Sequence, residues 1–131
     1  MELEVYFEEN LKVNAKFNGN IIKTDQPTRG GGDGTAPSPF DMFLASIGTC
    51  AGIYVKGFCS SRNIDTKDIK IIQRHTFNPT TRLIDKIELE AKLPSDFPEK
   101  YKPAILQAMD LCAVKKHLNN PPSFETIATI M

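Results

Sequence analysis

The sequence has no tryptophan, only two histidines and only three cysteines, and its 16 basic residues cancel its 16 acidic ones to a formal net charge of zero. Each shortage excludes something. Without a positive excess the chain has no electrostatic footprint for nucleic acid or an anionic membrane surface. His75 lies far from His117 and Cys112, so no metal-ligand spacing appears and no metal is expected. Cys50, Cys59 and Cys112 are odd in number and widely spaced, which fits neither a CxxC motif nor a disulfide framework. The longest uncharged apolar stretch, Met42 to Val55, falls short of the roughly 17–25 residues of a membrane helix and predicts a buried helix with no membrane role. The opening MELEVYFEEN has neither a basic leader nor an apolar one, so the cytoplasm is the expected location.

At 131 residues the chain is expected to form a single domain spanning 1–131. Forty per cent hydrophobic residues suffice for a core. The lack of tryptophan predicts a modest one, with part of the apolar surface covered by a second copy. Residues 2–8 and 11–17 alternate apolar with polar, and Ile21–Thr24 follows the Asn18-Gly19-Asn20 turn, so the chain should open as a β-meander. The stretch Pro27 to Pro39 is rich in glycine and proline and reads as a flexible loop, with a mobile lid as a further possibility. It carries no G-K-[ST] and no GxGxxG, so phosphate binding is not expected.

Ser38 followed by Pro39 is an N-cap and first-turn pair for a long helix reaching about Cys59. Its apolar stripe gathers Phe40, Phe43, Leu44, Ile47, Ala51, Tyr54, Val55 and Phe58. On the other side Ala45, Gly48 and Gly52 leave almost no side chain, which calls for a closely packed helix or backbone. Glycine in a helix interior costs about 1 kcal/mol relative to alanine, and such a contact would offset it. Residues 68–77 and 82–92 read as a hairpin around Asn78-Pro79-Thr80-Thr81. Pro98 introduces a second amphipathic helix that ends near Cys112 or continues to Leu118, and Phe124–Ile130 reads as a last strand. The expected class is α+β, in the order βββ-α-ββ-α-β, with a long central helix against a mostly antiparallel sheet.

Cys50 sits mid-helix at the edge of the apolar stripe, and Cys59, nine residues later, points away from it. Cys112 would meet Cys50 if the two helices pack by their apolar faces. On composition alone each cysteine reads either as a small buried hydrophobe or as a reactive thiol.

The run APSPFDMFLASIGTCAGIYV, its DGTAPSP entrance and the later DLCAVKKHL resemble the OsmC/Ohr family of osmotically induced and organic hydroperoxide resistance proteins, along essentially the whole chain. The resemblance implies an intertwined homodimer with thiol peroxidase sites and no cofactor. Cys50 matches the peroxidatic cysteine and Cys112 the resolving one, with Cys59 a bystander. The partners implied are an organic hydroperoxide, alkyl or lipid-like, and a dithiol reductant. Phe40, Phe43, Ile47, Tyr54 and Met109 would form the apolar substrate pocket.

The chain departs from the family in two places. Peroxidases of the family usually carry a glutamate ten residues before the peroxidatic cysteine, where this chain has Phe40, and an arginine from the N-terminal strands, where no arginine precedes Arg29. A cysteine in mid-helix draws little from its own helix dipole, so a cation is expected to activate Cys50. Arg29 is the first candidate, with Arg74, His75 and Lys23 behind it. The alternative reading is a binding module of the same fold, holding an apolar ligand at the dimer interface without catalysis.

Overall fold

Alternation in the opening residues yields β1 (Glu4–Phe7), β2 (Val13–Phe17) and β3 (Asn20–Thr24), an antiparallel sheet in that order. Asn18 and Gly19 both have positive φ, +50° and +76°, the turn conformation that matches the twist of a tight hairpin. The computed structural model describes all residues 1–131 and comprises two compact units, Met1–Ala45 and Ser46–Met131.

In the first unit, buried Asn14 donates to Glu8 and accepts the Thr24 N–H, so no polar group is left unmatched at the sheet centre. The glycine-rich segment, expected as a loop, is tied by hydrogen bonds. The Asp25 N–H donates to the Pro37 carbonyl at 3.2 Å, bringing the loop's ends together. Inside it a 3₁₀ turn spans Thr28–Gly30, and the N–H groups of Gly30 and Gly32 both donate to the Pro27 carbonyl. Asn10 Nδ2 bonds the Gly31 carbonyl and Asp33, and Lys12 pairs with Asp33 at 2.7 Å. The Lys12 ammonium holds the Asp33 carboxyl below its ordinary range. The glycines permit this tight, hydrogen-bonded path.

Helix α1 (Pro39–Ser60) starts at the end of the first unit and runs into the second. Ser38 Oγ accepts the Asp41 N–H at 3.1 Å, the predicted N-cap. At the other end Arg62 donates to the Phe58 carbonyl, and its guanidinium lies 3.7 Å from the Phe58 ring centroid.

The second unit pairs β4 (Lys70–Phe77) with β5 (Ile84–Lys92) antiparallel. What faces the glycines of α1 is side chains of strand β4, not the closely packed helix or backbone expected. A Cβ on Gly48 would stand 2.7 Å from Gln73 Oε1, and one on Gly52 would stand 3.8 Å from Ile71 Cδ1. The core joins Ala51, Val55 and Cys59 of α1 with Phe97 and with Ile105 and Met109 of α2 (Lys102–Asp110). Helix α1 is long and apolar enough to cross a membrane by length and composition, but its buried Ala51, Val55 and Cys59 belong to this core.

One sequence expectation is refined and one corrected. The second amphipathic helix ends at Asp110, near Cys112 as expected, and after Leu111 and Cys112 the chain restarts as a separate α3 (Ala113–Asn119). Phe124–Ile130 forms no strand, so the order is βββ-α-ββ-α-α. Its apolar residues Phe124, Ile127 and Ile130 are three apart and fall on both faces of an extended chain, all are exposed, and no strand pairs with them. The α+β class holds, with the strands in two antiparallel sheets, one in each unit.

Candidate functional site

The break between α2 and α3 places Cys112 as the residue that opens α3, with φ −51° and ψ +128°. Here it meets Cys50, which projects from the middle of α1. The two thiols are hydrogen-bonded to each other, and Cys112 Sγ also lies 4.0 Å from the Ile47 carbonyl of α1. Both are free thiols; Cys50 is half-buried and Cys112 fully buried.

Their surroundings drive the two thiols apart. The Val114 backbone N–H, the Cys112 thiol and the Ala113 N–H bond to the Cys50 sulfur and hold its pKa below the ordinary thiol value, against the opposing effect of burial. Amides in the first turn of a helix have no partner within that helix, so they are free to donate to a thiolate. Cys112 moves the opposite way: burial raises its pKa first, and the proton it shares with Cys50 raises it further. One sulfur is thus the easier of the two to ionise and its neighbour the harder.

The groups that lower Cys50 are the Val114 and Ala113 amides and the Cys112 thiol, with no cation among them. The amides were invisible in the sequence because the break at Cys112 was. Cysteine is no usual N-cap, so no local signal marked a helix start there. Among the fallback cations, Arg74 is engaged by Glu88 at 3.0 Å and Glu90 at 2.7 Å, and His75 Nε2 sits 2.7 Å from the Gln73 amide.

The remaining predicted site residues are distributed as follows. Tyr54 is half-buried on α1, while Ile47 and Met109 are buried at 2% and 3% exposure, Met109 within the core cluster. In the first unit, Arg29 is exposed on the 3₁₀ turn of the glycine loop. Phe40 and Phe43 stack there with ring centroids 5.9 Å apart and remain 55% and 39% exposed. Cys59 is sealed in the core, where burial pushes its thiol up. No group of His, Cys, Asp and Glu is arranged to hold a metal.

The thiol asymmetry has a direct readout. Alkylation of Cys50 by iodoacetamide, resolved by mass spectrometry across pH, will reach half its maximal rate below the pH of an ordinary thiol, and that of Cys112 above it. A thiol stabilised as thiolate ionises earlier as pH rises, which sets the sign. Ala113→Pro removes one of the donating amides at the first position of α3, where proline is accommodated because Cys112 before it is extended. The Cys50 profile will move to higher pH in that variant; an unmoved profile would remove the Ala113 amide from the account.

An α+β fold with a thiol pair of opposed ionisation, set between a long helix and the start of a short one, defines a class of cysteine-bearing protein. The OsmC-like protein family profile matches residues 31–127, and the chain belongs to that family. Among solved structures it is similar to a Psychrobacter arcticus protein named for osmotic stress induction and detoxification response, at 20% identity and TM-score 0.70, over 87% of this chain and 85% of that one. An OsmC-like protein from Mycoplasma pneumoniae matches at 16% identity and TM-score 0.65, over 92% and 87%. An organic hydroperoxide resistance protein OsmC from Legionella pneumophila matches at 15% identity and TM-score 0.53, over 89% and 87%. At these identities the likeness concerns the fold. No functionally curated protein matches the chain.

Proposed function

We propose that this chain is a thiol peroxidase that reduces organic hydroperoxides in oxidative-stress defence, with Cys50 peroxidatic and Cys112 resolving. The observation that carries the reading is the hydrogen-bonded pair in which Cys50 is lowered and Cys112 raised. In the first step the Cys50 thiolate attacks the distal oxygen of ROOH. The O–O bond breaks, the sulfur is oxidised to sulfenic acid, and the alkoxide takes a proton and leaves as ROH. In the second, the Cys112 sulfur attacks the sulfenic acid, a disulfide forms and water departs. A dithiol reductant then opens the disulfide by exchange, regenerating both thiols and leaving oxidised as its own disulfide. Resolution protects Cys50 from irreversible over-oxidation.

In this reading Arg29, the cation first expected beside Cys50, acts on the substrate, its guanidinium stabilising charge that develops on the leaving oxygen. Phe40, Phe43 and Tyr54 supply apolar contact for an alkyl or lipid-like group, with Ile47 and Met109 as buried backing. The Legionella pneumophila relative, named for organic hydroperoxide resistance, supports this substrate class by analogy. The reading also includes a single OsmC-like domain per chain, a homodimer and a reducing cytoplasm.

Exposed apolar side chains support the second copy, among them Phe7, Ile53, Phe124 and Ile130 at 78%, 71%, 90% and 100% exposure. An obligate dimer buries roughly 2,000–5,000 Å² in total, a size such surfaces can supply. In sedimentation the protein will run at twice its 14.6 kDa; a monomer at micromolar concentration would overturn the dimer.

One equivalent of cumene hydroperoxide, followed by non-reducing peptide mass spectrometry, tests the chemistry. A Cys50–Cys112 linkage with Cys59 unmodified is expected. Unreacted thiols together with saturable binding of an apolar ligand would replace the peroxidase by the non-catalytic binding module.

A further inference from the structure

The first unit buries a carboxylate with no evident part in the thiol chemistry. Asp25 is 0% exposed, and what surrounds it are donors. Oδ1 accepts the Gln26 N–H at 2.7 Å, and Oδ2 accepts the Thr35 N–H at 3.0 Å and the Thr35 hydroxyl at 2.7 Å. The Asp25 N–H reaches the Pro37 carbonyl at 3.2 Å. The Thr35 hydroxyl, then the Thr35 amide, holds the carboxyl near a pKa of about 2 despite its burial, so it is ionised at any physiological pH. A buried charge is costly to desolvate unless its hydrogen bonds are made. Here they tie both ends of the glycine-rich loop to one side chain.

That loop carries Arg29. The Gly34 N–H bonds the Gln26 carbonyl at 3.0 Å, and the Gly30 and Gly32 N–H groups bond the Pro27 carbonyl, so the Arg29 turn is built directly on the residues beside Asp25. At the far side Asn10 holds the Gly31 carbonyl at 3.0 Å. We infer that Asp25 is the positioning residue for Arg29: by closing the neck of the loop it presents the guanidinium from a fixed frame rather than from a wandering chain. Fixing a side chain's frame beforehand removes an ordering cost from the reaction it serves. The inference rests on the proposed role of Arg29 toward the hydroperoxide.

The test compares Asp25→Asn, Arg29→Ala and the double variant, with two measurements on each full-length protein. Asparagine keeps the shape but turns one acceptor into a donor facing donors. The first measurement is the second-order rate with cumene hydroperoxide; the second is the pH profile of Cys50 alkylation, which needs only the thiolate. Arg29→Ala and Asp25→Asn are each expected to lower the hydroperoxide rate roughly ten-fold or more. The double variant should fall no further than Arg29→Ala, and the alkylation profile should stay in place throughout. Thr35→Ser should retain the rate and Thr35→Val lose it, a comparison that decides the matter if Asp25→Asn does not fold. A normal rate in folded Asp25→Asn beside a reduced one in Arg29→Ala, a fully additive double variant, or equal rates in the two Thr35 variants would overturn the inference. An unchanged rate in Arg29→Ala would instead overturn the role of Arg29 in the proposed function, whatever Asp25→Asn does.

Discussion

Cys50→Ser will slow organic hydroperoxide reduction by about three orders of magnitude or more, because a serine hydroxyl in the same place is not ionised by the same amides. Cys112→Ser will behave differently. The first equivalent of hydroperoxide will still be consumed, since the Val114 and Ala113 amides remain to lower Cys50. Turnover under a dithiol will then fail progressively as Cys50 sulfenic acid, lacking its partner, is driven to sulfinic acid under excess peroxide. Stopped-flow kinetics separate the variants: no burst in Cys50→Ser, a burst with decaying turnover in Cys112→Ser. Full activity in Cys50→Ser would eliminate Cys50 as the nucleophile, and sustained turnover in Cys112→Ser would eliminate Cys112 as the resolving thiol. Cys59→Ser tests the bystander in the same assay.

Gly32→Ala will disrupt the glycine loop more than any other single methyl addition there. The added Cβ would lie 2.0 Å from the Gln26 carbonyl oxygen and 2.5 Å from the carbonyl carbon. Backbone cannot swing aside as a side chain can, so the loop must open or shift, at a cost of about 1–3 kcal/mol or more. Hydrogen exchange of the amides from Gln26 to Thr35 will show the loss of protection, and hydroperoxide reactivity will fall with it if the loop frames Arg29. Gly48→Ala is the internal comparison. Its Cβ would also meet an atom at 2.7 Å, but that atom is the end of the Gln73 side chain. Alanine also gains about 1 kcal/mol of helix propensity there. Urea denaturation should place Gly48→Ala within about 1 kcal/mol of the parent. Equal losses in the two variants would contradict the distinction between a rigid and a yielding neighbour.

The elements that sequence reading recovered are those with local causes. Ser38 and Pro39 marked the start of α1 because a hydroxyl and a fixed φ suit a helix entrance. Asn18-Gly19 marked the first hairpin because both residues accept positive φ. The near-absence of side chains at Gly48 and Gly52 announced a close neighbour, though not that it would be β4. Pattern failed at Phe124–Ile130, which reads as a strand although Phe124, Ile127 and Ile130 stand three apart. It failed also at Cys112, because no usual capping residue announces the helix restart there.

The same division runs through the candidate site. The shortages of charge, histidine and cysteine, the helical phase of Cys50 and the existence of a second cysteine to meet it were determined by sequence alone, since each is a property of composition or of residues a few positions apart. Only the tertiary structure decided which groups lower the Cys50 thiol and what closes the glycine-rich loop. The amides of Ala113 and Val114 reach the thiol from more than 60 positions away, and the Asp25 carboxylate gathers donors across a ten-residue span. Backbone N–H groups are alike in every residue but proline, so no pattern of side chains records where the fold will bring them to bear.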